Sequence, residues 1–229
     1  MSDIKPIQPS SLAFLKLLKE NNEREWFNIN KAAFQKEQVL IETFAQHLLD
    51  LMNTHDVIET LSGKKSLYRI YRDTRFSNDK TPYKTHWSGS FKRAGKQRRG
   101  GYYFHIESGN SFVAGGFFGP SPQDLKLIRE NIAFDSQPLR EILEDKIFIT
   151  SFEHLKGDQL KTTPKGFEAD DEAIDLLRYK QFLLVHHFSN EEVLSADFLD
   201  NCNQMFKNMS PFLDYMTEIL TTDVNGIEL

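Results

Sequence analysis

At 229 residues, with 39% hydrophobic and 27% charged residues, the chain has the composition of a soluble globular protein and excludes disordered and fibrous classes. The lone Cys202 excludes an internal disulfide framework, and no apolar run approaches the roughly 18 to 20 residues of a membrane-spanning helix. The formal net charge of −5 hides an asymmetry. Lys64–Arg99 carries twelve Lys or Arg against Asp73 and Asp79, leaving sixteen of the 28 basic and thirty-one of the 33 acidic residues for the rest of the chain.

In chain order, Pro9-Ser10 opens a helix whose Leu12, Phe14, Leu15, Leu17 and Leu18 form a broad apolar face, ending at Asn21-Asn22. Glu23–Ile29 reads as a short helical turn with Trp26 and Phe27 docked inward. A longer helix is expected from Asn30 to Asn53, where Phe34, Leu40, Ile41, Phe44, Leu48, Leu51 and Met52 recur at three-to-four spacing. Strand signals then begin near Ser66. Tyr68–Arg72 alternates and is rich in strand-forming types, Ser77–Pro82 is turn chemistry, and Thr85–Phe91 reads as another strand. Ala94–Gly101 is a basic loop, and Tyr102–Ile106 and Phe112–Phe118 flank the hairpin signature Ser108-Gly109-Asn110.

Ser121-Pro122 starts a helix to about Ala133, and a second follows Ser136-Gln137-Pro138. Phe148–Phe152 is too short to classify. Asp170–Tyr179 reads as a helix with acidic residues in its first turn, and Gln181–Phe188 as a buried strand. One or two helices over Asp197–Leu220 close the chain, interrupted at Ser210-Pro211. The expected fold class is α+β: a mostly antiparallel sheet with an N-terminal helical layer and C-terminal helices. The expected organisation is one domain over 1–229, helical over about 9–55 and sheet-containing over about 64–229.

Cations concentrate in Tyr68–Lys84, where Arg69, Arg72, Arg75, Lys80 and Lys84 are interleaved with aromatic rings and only two aspartates. Guanidinium groups hold carboxylates and phosphates through paired hydrogen bonds, and a buried Arg needs such a partner. An anion-clamping site is therefore expected from Arg69, Arg72, Arg75, Lys80, Tyr83 and Lys84, joined by Arg24, Trp26 and Tyr103. The competing reading is an internal salt-bridge network that uses Asp73, Asp79 and carboxylates of the N-terminal helices. Alternation places His105 with Tyr103 and Glu107, so His105 and Asp73 are the candidates for proton transfer beside a bound anion.

His86, His105 and one of His186–His187 can converge in space, yet no spacing requires zinc, and neither a metal nor a cofactor is expected. Gly115-Gly116 matches no phosphate-binding motif and reads as a close strand crossing or bulge. The alternative function is a nucleic-acid or protein-binding module that uses Lys92, Arg93, Lys96, Arg98 and Arg99 of the 92–99 loop. With one cysteine and no signal-type N-terminus, the expected location is the cytoplasm, away from membranes.

Asn21–Lys31 and Tyr68–Lys84, together with Gly101–Ile106, Ala114–Phe117 and Pro164–Phe167, resemble the uncharacterised family catalogued as domain of unknown function 2461. The resemblance spans most of the chain. It implies a single-domain, mostly bacterial, cytosolic protein and supplies no activity. Whether the protein is an enzyme stays open at the level of sequence.

Overall fold

The computed structural model describes residues 6–94 and 98–222. The chain is α+β, with a four-stranded antiparallel sheet of order β1-β2-β3-β4. The strands are β1 (Trp87–Lys92), β2 (Gly101–Ile106), β3 (Ser111–Phe117) and β4 (Phe182–Phe188). Two compact units emerge, and neither is continuous in sequence. The first comprises 6–91, 103–113 and 187–204, and the second 92–94, 98–102, 114–186 and 205–222.

The first unit begins with α1 (Pro9–Glu20), which proline can start because the first turn lacks amide partners anyway. It buries Leu12, Phe14, Leu15 and Leu18, and Asn21 ends it with its side-chain amide on the Leu17 carbonyl at 2.9 Å. A short α2 (Arg24–Ile29) turns the chain into α3 (Lys31–Met52). Ile41, Phe44, Ala45, Leu48, Leu49 and Met52 give α3 one continuous buried stripe at helical period. Glu37 is also buried on α3. It is satisfied by the hydroxyls of Ser11 at 2.7 Å and Ser10 at 3.1 Å.

A single helical turn, α4 (Gly63–Ser66), is too short for periodicity to reveal, although Ser62 caps it through the Lys65 N–H. Gly63 is required there, since a Cβ would meet the Gln46 backbone nitrogen at 2.3 Å. Aromatic rings in stacked and edge contacts fill the core of this unit. Phe44 contacts Phe104 and Phe198 at centroid distances of 5.7 and 5.5 Å, and Phe34 stacks on Trp87 at 5.5 Å.

Tyr68–Arg72 does not form a strand. Only isolated antiparallel bridges, Leu67 to Gly89 of β1 and Tyr71 to Tyr83, join the 67–72 segment to residues 83–89. Three hydrogen bonds support them: Tyr68 N–H to Ser88 O, Lys84 N–H to Ile70 O, and Arg72 N–H to Pro82 O. The physical reason lies in the partner. Pro82 has no N–H to return, and the two bridges are four residues apart on one side but six on the other. The 83–89 side therefore carries two extra residues and bows out of register.

In the second unit, α5 (Pro122–Phe134) is capped by Ser121 and buries Ile128 and Ile132. It is followed by α6 (Gln137–Glu144) and α7 (Lys146–Phe152), the latter capped by Asp145. The helix expected over Asp170–Tyr179 shrinks to one turn, α8 (Ile174–Leu177). Asp171 accepts the Ala173 N–H at 2.8 Å, a local side-chain bond that holds the preceding residues in turns instead of helix.

After β4, Ser189 and Glu192 form a capping box on α9 (Asn190–Leu194), which sequence reading missed. Helices α10 (Phe198–Asn208) and α11 (Ser210–Thr221) meet at Met209, with Pro211 in the first turn of α11. Gly116 in β3 has φ +125°, and a Cβ there would lie 2.1 Å from the Phe182 carbonyl oxygen, so the close crossing expected at Gly115-Gly116 is present. No described helix is long and apolar enough to cross a membrane.

Candidate functional site

The site residues predicted from sequence all lie in the first unit, and they divide into three groups. The first is a groove. Asn22, after α1, grips the backbone of Tyr83 from both sides: its amide donates to Tyr83 O at 2.9 Å, and its carbonyl accepts from Tyr83 N–H at 3.1 Å. Phe27 of α2 stacks on the Tyr83 ring at 4.0 Å, and Tyr71 closes on the same ring at 5.4 Å. The motif around α2 and the motif over 68–84 are thereby clasped together. Between them lies a cavity of about 600 Å³ lined by Arg24, Arg72, Lys80, Tyr71, Tyr83 and Glu23, among others.

Among its cations, Arg72 already bonds Asp79 and the Thr81 hydroxyl. The Thr81 backbone N–H and then Arg72 hold the Asp79 carboxyl down at about 2. Lys80 donates to the Thr74 carbonyl at 2.9 Å, and neither Arg24 nor Lys80 has a carboxylate partner among the described residues. Trp26 is half-buried against Phe14 and contributes to the wall behind α2, not to the groove lining.

Arg75 and Asp73 form the second group. They are exposed and bound to each other, with Arg75 Nη2 2.6 Å from Asp73 Oδ2, and the guanidinium lies over the exposed Phe76 ring at 5.8 Å. That bond holds the Asp73 carboxyl below its ordinary range, so Asp73 is a weak proton acceptor. The supposed surplus of guanidinium groups is thus smaller than expected, because Arg72 and Arg75 each have an aspartate of the same motif.

The third group surrounds His105 on β2. Its ring lies between His86, stacked at 4.1 Å, and Phe112 of β3, stacked at 4.8 Å and 11°. His105 Nδ1 is 3.1 Å from the Tyr103 hydroxyl, and Nε2 is 3.3 Å from Glu107 Oε2. A carboxylate accepts the Nε2 proton, which leaves Nδ1 to accept from Tyr103. Tyr103 in turn is bonded to Ser88, so Ser88, Tyr103, His105 and Glu107 form one relay.

Burial pushes His86 down to about 4, helped by the neighbouring His105. Burial also lowers His105, opposed by Glu107. Glu107 stays low despite its own burial, because Asn110 and His105 stabilise its charge. At neutral pH the cluster is two uncharged imidazoles beside a carboxylate. Above it, Lys84 sits over the Tyr68 ring at 5.2 Å, and Tyr68 meets Tyr103 at 6.2 Å. Arg69 lines a smaller cavity of about 230 Å³ with Tyr68, Lys64 and His86.

Sequence alternation already grouped Tyr103, His105 and Glu107. It did not place His86, whose position depends on the bowed 83–89 segment. The 92–99 loop offers less free charge than its composition suggests. Arg93 is buried and bonded to Asp214, Arg99 is paired with Asp124 at 2.6 Å, and Lys96 lies outside the described residues. His186 bonds the Ser151 carbonyl at 2.7 Å, and Cys202 is fully buried, with its thiol pushed well up by that burial.

The groove and the relay both lie within a stretch that matches a family. The chain matches the family described as Conserved hypothetical protein (DUF2461) over residues 10–215, and it belongs to that family. No curated protein matches it.

Proposed function

We propose that this protein binds an anionic small ligand, a phosphate or carboxylate, in the groove between α2 and residues 71–83. The observation that carries the reading is the lining of that groove, which combines Arg24, Arg72 and Lys80 with Tyr71 and Tyr83 around about 600 Å³. A cavity of that size suits a metabolite, and its mostly polar lining, with the Tyr71 and Tyr83 rings and Pro82 as its apolar part, suits a charged one. Arg72 is held in place by Asp79, so its guanidinium is oriented before any ligand arrives. The reading includes a bacterial, cytoplasmic setting, supported by the family resemblance and by a single, buried thiol.

A thermal-shift screen at constant ionic strength tests it, using inorganic phosphate, phosphorylated metabolites and carboxylates. A ligand at about 100 times its Kd adds roughly 2.7 kcal/mol to stability, a shift that such a screen resolves. The wild type is expected to gain stability with at least one anion class, and the Arg24→Ala, Lys80→Ala double variant is expected to lose the gain. Equal responses in the two proteins, or none in either, defeat the proposal.

A further inference from the structure

We infer that His86, His105 and Glu107 form a three-ligand site for a divalent transition metal ion. Each offers one donor atom, and these atoms lie within 4.8 Å of one another. Two imidazoles and one carboxylate are a donor set for zinc and its first-row neighbours, and three protein ligands leave a position open for water or an anionic oxygen. His86 also borders the 230 Å³ cavity.

The surroundings resemble the supports that metal ligands need. Tyr103 fixes His105 through Nδ1, leaving Nε2 directed to the shared space, while Thr85 and Asn110 hold the Glu107 carboxylate at 3.4 and 3.3 Å. Phe112 locks the His105 ring from the opposite face. On binding, His105 changes tautomer, its proton passing from Nε2 to Nδ1, while the Tyr103 hydroxyl rotates its own hydrogen away from Nδ1 and accepts from Nδ1–H instead. The site is independent of the anion groove and does not need it.

The test uses chelator-treated full-length protein titrated with Zn²⁺ by calorimetry, and with Co²⁺ while the visible spectrum is followed. Wild-type protein is expected to take up one ion per chain, with a Co²⁺ spectrum of low-symmetry coordination. Because His105 is buried between two rings, the variants chosen are His86→Ala and the near-isosteric Glu107→Gln. Each is expected to weaken binding by at least about tenfold, with far-UV spectra and melting transitions confirming folded protein. Absence of stoichiometric uptake by the wild type overturns the inference. So does affinity that either folded variant retains in full.

Discussion

Asp79 shows how a single residue sets up the groove. It accepts the Thr81 backbone N–H at 2.9 Å and bonds Arg72, and the charged carboxylate is stabilised far beyond its ordinary range. Its folded pKa of about 2 lies below the unfolded value, so its contribution is present above about pH 4 and is lost as pH falls through about 2. Carboxyl NMR titration is expected to show Asp79 among the last side chains to protonate. Arg72→Ala is expected to bring its midpoint back up, and an unchanged midpoint contradicts the pairing. The sequence offered Asp73 and Asp79 as internal partners for the arginines, but which arginine each one meets depends on the turn that brings Asp79 to Arg72, seven residues away.

Among elements, helices were the most legible, because their evidence lies within the element. The stripe from Ile41 to Met52 and the proline starts at Pro9, Pro122 and Pro211 were all visible in the chain. The four strands of the sheet were also read to within two residues of their bounds, whereas the segment before β1 was not. Tyr68–Arg72 has a strand's alternation, yet whether alternation becomes a ladder is decided by Pro82 and by the two extra residues across from it. The bowing that spoils the strand is also what carries His86 to its place over His105. Half of the His105 cluster was therefore readable from i, i+2 spacing, and the other half was not.

β3 makes a sharper test of element-level packing. At Gly116 a methyl group would collide with the Phe182 carbonyl, and φ +125° is unfavourable for any side chain. Gly116→Ala is expected to cost more than about 1–3 kcal/mol, measured by denaturant unfolding. A neutral substitution contradicts the close crossing of β3 and β4.

At the scale of the whole molecule, the charge asymmetry resolves in part into internal pairing. Within the first unit Lys64 faces Glu42 at 3.9 Å, and within the second Arg93 and Arg99 meet Asp214 and Asp124. Acidic helices thus answer much of the basic segment, and what remains for an outside anion is concentrated around Arg24, Lys80, Arg69 and Lys84. The interleaving of the two units also governs truncation. A fragment ending at residue 113 lacks 187–204 and so removes Phe198 from the Phe44 ring. It is expected to show poorly dispersed amide signals and no cooperative melting transition. A sharply melting fragment contradicts the division of the chain.

The order of synthesis meets this arrangement directly. A ribosome delivers Phe44 early, but the first unit does not have all of its residues until translation has passed Gln204. Until then the nascent polypeptide carries Phe44 without its Phe198 neighbour, an aromatic surface left uncovered while the chain is still being made.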